Sequence, residues 1–455
     1  MRDLFFVIFL AGMLVLGMRR PFLLLLGYVY IDLVSPQRLS YYLLSSVPIS
    51  LIFFAAAFLA WLIADAKDGM RWSVRQSIML ALLLWAGWTM KDADFPVEAA
   101  LKWDWVWKTL VFAIFLPFTL RTRLRMESLI VFMGLSAGWI IVTGGLKTAL
   151  SGGGYGTLSL GVDNNAGMYE GSTIATVAIA MIPLILWAVK HQTIFEQKGL
   201  VRAFGYALIF ACILIPVGTE ARTGLVCLAV LILLSLRDTK RRVAYIVTIA
   251  ALGLVAIPFL PQSFTQRMDT ISGYQGDQSA STRIVIWKWT WDFVRANPAG
   301  GGFGAYHQNR FEVTIREAGD DGTVRTARVV DQGRAWHSSY FELLGELGFP
   351  GFALWIALNI AGLVRMEMLR HRFARAGPED LWIRDLARGL QSAQIVYLVG
   401  SLFLSLAFQS FFYMWFGLQI ALDTYARRRG VRADTGGFGR TQSINGASPP
   451  SASAR

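Results

Sequence analysis

RMDTISGYQGDQSASTRIVIWKWTWDFVRANPAGGGFGAYHQNRF, residues 267–311, and AWHSSYFELLGELGFPG, residues 335–351, belong to a polar excursion in a chain otherwise made of apolar runs. The excursion opens near Pro261 and ends at His337, shortly before the next apolar run. Outward from it, apolar stretches recur on both sides, from residue 4 up to 260 and again from 350 to 425. A helix needs about 20 apolar residues to cross the hydrocarbon, or about 17 at the low end, so the pattern predicts about 12 crossings. A thirteenth depends on the two short N-terminal runs, which flank Arg19, Arg20 and Pro21 and read either as two half-length helices or as one broken span. Hydrophobic residues make up 55% of the chain and charged ones 16%, with mean hydropathy +0.48, which is too apolar for a soluble protein of 455 residues. The fold class that follows is an all-α polytopic integral membrane protein with one long helical extracytoplasmic loop.

The chain divides into an N-terminal transmembrane bundle (1–260), the loop with its helices (261–337), C-terminal transmembrane helices (338–429) and a tail (430–455). The tail is rich in Gly, Ser, Ala and Pro and is expected to be disordered. The first apolar run resembles a signal-peptide core but is followed by MRRP, so it is expected to be retained. Cys212 and Cys227 lie in apolar spans and read as small hydrophobes. The formal charge of +13 is not a nucleic-acid signature, because the basic residues sit in short turns on one side of the membrane. RTRLR at 121–125, RDTKRR at 237–242, Arg365 through Arg388, and Arg427 to Arg429 are separated by even numbers of spans, as cytoplasmic loops should be. The opposite turns, at 91–105, 151–171 and 218–224, are poor in Lys and Arg, and parity places the 261–337 loop with them on the outside. Trp85, Trp88, Trp103, Trp105 and Trp107 flank apolar runs, the usual interfacial use of Trp.

Within the loop, the spacing predicts a helix from Ser281 or Thr282 to Asn297, since Pro298 disfavours helix at the residue before it. Ile284, Trp287, Trp291 and Val294 fall three or four apart and predict one apolar face, suited to the membrane surface or to packing over the spans. Gly300, Gly301, Gly302 and Gly304 predict a flexible turn, and a second helix is expected from near His337 to Gly348.

Arg283 falls in the first turn of the first of these helices, where free backbone N–H groups favour an anion. Arg222 lies in a short turn between two spans, on the side that the charge rule leaves poor in arginine. Both guanidinium groups suit a phosphate fork. The plain alternatives are a lipid headgroup contact for Arg222 and a salt bridge to Asp277 or Asp292 for Arg283. Of the four histidines, topology leaves His307 and His337 outside, with His191 and His371 on cytoplasmic turns. His337, at the start of a helix that leads into a span, can take a proton from a hydroxyl, since an imidazole titrates at about 6.5. A backbone hydrogen bond at a helix start is the other reading, and His307 in GAYHQN is the second candidate. Asp163, Asn164 and Asn165 can bind sugar hydroxyls or cap the span that follows. Glu342 and Glu346, one turn apart, can orient His337, bind an acceptor or form a solvated face. There is no HExxH, no cysteine quartet and no DxD-like cluster on the outer face, apart from Asp320 and Asp321 in a segment expected to be mobile. A metal-independent reaction with a good leaving group fits that set, with no cofactor, and a diphosphate neutralised by arginines is such a group.

Four motifs, TEARTG with Arg222, SASTRIVIW with Arg283, NPAGGGFGAY, and AWHSSYFELLGELGFPG with His337, resemble in order and spacing those of bacterial O-antigen ligases. The wider family includes O-antigen polymerases and protein O-oligosaccharyltransferases. The start, MRDL followed by RRPFLLLLGYVYIDLVSPQRLSYY, resembles the exosortase-associated O-glycosylation ligases, and the resemblance covers all but the tail. It implies a GT-C-like glycosyltransferase in the bacterial inner membrane, a monomer with its active site on the periplasmic face. The donor implied is a glycan on undecaprenyl diphosphate, the acceptor a hydroxyl of the lipid A core, and the displacement inverting. Arg222 and Arg283 would then hold the diphosphate, and His337 would act as base or place the acceptor. Many relatives have Asn directly after that His, whereas here Ser338 follows, which puts the acceptor pocket in question. A polymerase or a protein O-oligosaccharyltransferase would use the same donor. A lipid-carrier transporter would instead need ionisable residues at mid-bilayer and repeated interrupted spans, and neither is visible in the sequence.

Overall fold

The computed structural model describes residues 2–67, 69–151, 167–237, 239, 241–256, 278–318 and 324–438. Asp163, Asn164, Asn165, Asp277, Asp320, Asp321 and the tail after Phe438 lie outside them. The helices in chain order are α1 (Arg2–Arg19), α2 (Phe22–Val34), α3 (Pro36–Leu39), α4 (Ile49–Ala64), α5 (Val74–Thr89), α6 (Pro96–Thr119), α7 (Arg123–Ser151), α8 (Gly171–His191), α9 (Gly199–Gly218), α10 (Arg222–Leu236) and α11 (Arg242–Ala256). After them come α12 (Gln278–Ala296), strands β1 (Arg310–Ala318) and β2 (Val324–Gln332), α13 (Ser339–Arg372), α14 (Leu381–Gly400) and α15 (Ser410–Phe438).

Four helices, α7, α8, α9 and α13, are long and apolar enough to cross a membrane, and α2, α4 and α10 are shorter apolar helices. This is a helical membrane protein. The bundle is centred on α8, whose residues from Thr173 to Ile182 are all buried, the expected state of a helix that is apolar on every side. α14, α9, α10 and α7 pack around it. α9 shows the opposite economy of surface, with Leu200, Phe204, Tyr206 and Phe210 exposed where lipid would cover them.

The N-terminal ambiguity resolves into two helices. α1 and α2 fold back on each other about Arg20 and Pro21, so that Phe9 meets Tyr30, their ring centroids 4.7 Å apart. Gly17 and Leu24 close the same hairpin, the leucine side chain filling the space a Cβ on Gly17 would need. At the other end of the chain, α15 runs on to Phe438 rather than stopping near Arg429. The spans also carry ionisable groups. Asp423 accepts from Arg75 at 3.1 Å and from Arg365 at 2.5 Å, and Asp32 is half-buried in α2. Arg75 and Asp32 lie near the ends of their helices, whereas Asp423 stands in the middle of α15 with its charge matched by the arginines.

The segment between α11 and α13 is not all helical, and β1 and β2 form an antiparallel pair in register from Arg310↔Gln332 to Ala318↔Val324. FEVTIREA and TVRTARVV alternate β-branched with charged residues about AGDDG, a hairpin pattern that outweighs the helical context. α12 starts at Gln278 rather than Ser281, so Arg283 stands in its second turn, past the four N–H groups a helix start leaves free. Its buried positions are Ile286, Thr290 and Val294, whereas Ile284 and Trp291 of the expected apolar face are exposed. The burying face is rotated because Trp287 and Trp289 turn toward Phe341 and Trp336.

α13 is broken at Gly348, which takes φ 62 and ψ −165 two residues before Pro350. The break frees carbonyl groups, and Trp85 donates its indole N–H to one of them, Leu347 O, at 2.8 Å.

Candidate functional site

Three chain segments converge beside the N-terminal end of α13. The first is the turn between α9 and α10. Thr219 closes α9 by donating its backbone N–H and its hydroxyl to Ile215 O, at 2.9 and 2.8 Å, and the next residue, Glu220, is buried with φ 51. Arg222 follows as the first residue of α10. The second segment is the start of α8, held against this turn because a Cβ on Gly171 would lie 3.2 Å from Thr219 Cβ. Its cap is Glu170, whose carboxylate accepts from Ser172 N at 3.0 Å and Thr173 N at 2.5 Å. The capping role expected of Asp163, Asn164 and Asn165 thus belongs to a residue beyond them, after a short 3-10 turn at Gly167–Tyr169.

The third segment carries His337. Its φ is 48, and among the described residues only Ser35 and Glu220 share a positive φ without being glycine. Such a backbone costs about 1–3 kcal/mol and persists only where its surroundings over-determine it. Here they do, on both sides. Asn309, fully buried, donates to Arg334 O at 2.7 Å and accepts from Arg334 N at 3.0 Å. Trp287 donates to Trp336 O at 3.0 Å, and the Trp336 ring fills the space beside Gly345. After His337, Ser339 donates its N–H to Ser401 O at 2.8 Å and its hydroxyl to Leu404 O at 2.8 Å, and it accepts from Leu406 N at 2.7 Å. The imidazole itself is exposed at the surface.

The charges around that imidazole define the site. Desolvation by the surrounding protein pushes the His337 pKa down from 6.5, the cations Arg283 and Arg334 push it further down, and Glu170 opposes them. The structure therefore brings Arg283 and His337 together, adds Arg334 and Glu170, and joins the Arg222 turn to Glu170 through the Gly171–Thr219 contact. Arg334 is also bound by Asp331, Nε to Oδ2 at 2.6 Å. An imidazole held neutral beside guanidinium groups can accept a proton while they hold an anion.

Glu342 and Glu346 do a different job from the one expected. Both are buried, and they share Lys102 of α6 at 2.5 and 2.6 Å. Glu342 also accepts from Ala407 N at 3.4 Å, and Glu346 from Gly304 N at 3.1 Å, so their oxygens face the framework rather than a substrate. The glycine stretch is likewise packed, not flexible. Gly301 N and Gly302 N donate to Gly345 O and Glu346 O at 2.9 and 3.0 Å, and Phe349 N donates to Pro298 O at 3.0 Å. A Cβ on Gly300 would lie 2.6 Å from Glu346 O, and one on Gly348 would overlap Pro298 O, so this approach requires glycine on both chains. His307 packs against Phe95 and Tyr306 with tilted rings, centroids 5.2 and 4.1 Å away, and its Nδ1 abuts Gly333. It supports the turn that leads to Arg334.

Among the described residues no group of three or more His, Cys, Asp or Glu side chains is arranged to hold a metal ion. Of the residues that sequence reasoning missed, Glu170, Asn309 and Lys102 act on partners distant in the chain, whereas Arg334 acts on His337, three residues on.

Residues 206–356 match the family model described as O-antigen ligase, and residues 1–193 match a family of unknown function, DUF5935. No curated protein matches the chain. Arg222, Arg283, Arg334 and His337 all fall in the second matched region, whereas Lys102 and Glu170 fall in the first.

Proposed function

We propose that this chain, whose residues 206–356 belong to the O-antigen ligase family, transfers a glycan from a polyprenyl-diphosphate carrier to an acceptor hydroxyl at the site of Arg222, Arg283 and His337. The observation that carries the reading is an imidazole whose pKa is pushed down by partial desolvation and by two neighbouring cations, on a backbone strained and braced from both sides. Arg283, Arg334 and Arg222 bind the diphosphate. His337 takes the proton from the acceptor hydroxyl as its oxygen bonds to the anomeric carbon. The bond from that carbon to the diphosphate oxygen breaks, and the diphosphate leaves with the electron pair. A single in-line displacement inverts the anomeric centre. Arginines stabilise charge that develops on the leaving group, the role that fixed cations play in metal-independent transfer.

The donor in this reading is a glycan on undecaprenyl diphosphate and the acceptor a sugar of the lipid A core, with the site on the periplasmic face of the inner membrane. That sidedness is supported by the distribution of basic turns. A polymerase, with a second carrier-linked glycan as acceptor, and a protein O-oligosaccharyltransferase, with Ser or Thr as acceptor, use the same donor chemistry.

The pH dependence tests the base. Because the His337 pKa is lowered from 6.5, the proton-accepting form prevails above that pH, and kcat/KM for transfer falls as pH drops through a midpoint below 6.5. Arg334→Gln removes a cation that lowers it, so the midpoint moves up toward 6.5. A midpoint at or above 6.5 that Arg334→Gln leaves in place would remove His337 as the base.

A further inference from the structure

At the end of α13 remote from His337, roughly 50 Å of helix away, the protein closes around a recess of about 1510 Å3. Four chain segments line it: the connection between α4 and α5, the turn before α7, the turn between α13 and α14, and the later part of α15. Nine arginines face it against three carboxylates. Two of those carboxylates are already taken. Arg125 grips Asp65 with both Nη atoms at 2.6 and 2.7 Å, and Arg429 holds Asp380 at 2.5 Å. Asp423, behind the wall, is shared by Arg75, Arg365 and Arg427.

Arg71, Arg372 and Arg375 remain exposed in the lining, and among the described residues no ion pair joins any of them to a carboxylate. Arg372 lies 5.8 Å over the ring of the adjacent Phe373. A charge bias across the membrane would be satisfied by arginines scattered over several turns. Here they converge from separate segments on one cavity, where their mutual repulsion is relieved by an anion that enters it. Guanidinium forks match phosphate oxygens, and a basic pocket at the ends of spans suits a headgroup with more than one phosphate.

We propose that this recess binds a ligand carrying two phosphates close together, of the kind presented by the headgroup of a diphosphatidylglycerol lipid. It is a second anion site, separated from the candidate active site by the length of α13, and it does not depend on the activity proposed above.

The test is native mass spectrometry of the full-length protein titrated with diphosphatidylglycerol, with phosphatidylglycerol as the single-phosphate control, and with inorganic diphosphate as the soluble source. The unaltered protein should bind diphosphatidylglycerol at least tenfold more tightly than phosphatidylglycerol. The combined Arg71→Gln, Arg372→Gln and Arg375→Gln variant should lose at least tenfold of that affinity with its melting temperature unchanged. If the melting temperature falls, the single Arg71→Gln variant, altered only at an exposed side chain, should still show a smaller loss. Binding of inorganic diphosphate that the same substitutions weaken would support the site and assign it a soluble ligand. Equal binding by altered and unaltered protein, or no preference for two phosphates over one, would overturn the proposal.

Discussion

Replacing His337 by alanine is expected to cost about 100- to 10,000-fold in the rate of glycan transfer, the usual contribution of a positioned general base. The protein should stay folded and in the membrane, because the contacts that hold this segment are made by Asn309, Trp287, Trp336 and Ser339 rather than by the imidazole. His337→Asn is the sharper variant. Asparagine tolerates the left-handed backbone that residue 337 adopts at φ 48, so it keeps the geometry and removes the base. Transfer by His337→Asn at the unaltered rate, measured on protein of unchanged melting temperature, would show that the side chain does not move the proton.

The second large effect is expected at Lys102. Its ammonium lies between Glu342 and Glu346, whose side chains are 4% and 1% exposed. Lys102→Met leaves two carboxylates buried without their cation, and breaking a buried pair in this way destabilises by about 3–5 kcal/mol. The loss should appear as a lowered melting temperature in detergent. Combining Lys102→Met with Glu342→Gln and Glu346→Gln removes the uncompensated charge and should recover most of it. A single variant as stable as the unaltered protein would mean that the cluster contributes nothing net. Transfer should fall along with stability, since Glu346 also holds Gly304 N and Gly302 N, which fasten the glycine turn to the helix that follows His337.

The pattern of apolar runs made the helical membrane class legible, because it depends only on hydropathy and length. Arg283 and His337 were legible as a pair because they share one polar excursion. The remaining features depend on contacts that no local pattern encodes. Lys102 stood in a turn that read as interfacial, and its partners are 240 and 244 residues away. Glu170 sat at the end of a glycine-rich stretch whose Asp163 and two following asparagines drew the capping role to themselves. Gly300 to Gly304 read as flexible because glycine permits flexibility, but the same missing side chain also permits backbone to approach backbone, and that is the use made of it here. The β-hairpin had a visible alternation, which the expectation of an all-helical loop overrode. Arg283 kept its neighbour while losing its place in the first turn, since the helix gained residues at its start.

The two matched regions meet at this site. The region that matches the O-antigen ligase model supplies the arginines and His337, and the region of unknown function supplies Glu170, whose charge acts on the imidazole, and Lys102, which pairs with Glu342 and Glu346 of α13. Catalysis in this account therefore draws on both matched regions.

The most direct measurement incubates the purified protein with an undecaprenyl-diphosphate-linked glycan and isolated lipid A core, and follows both by gel. The account predicts a core band shifted upward by the glycan, formed without added metal and lost in His337→Asn. A ladder of lengthened donor with the core unchanged, or no transfer to any hydroxyl, would contradict it.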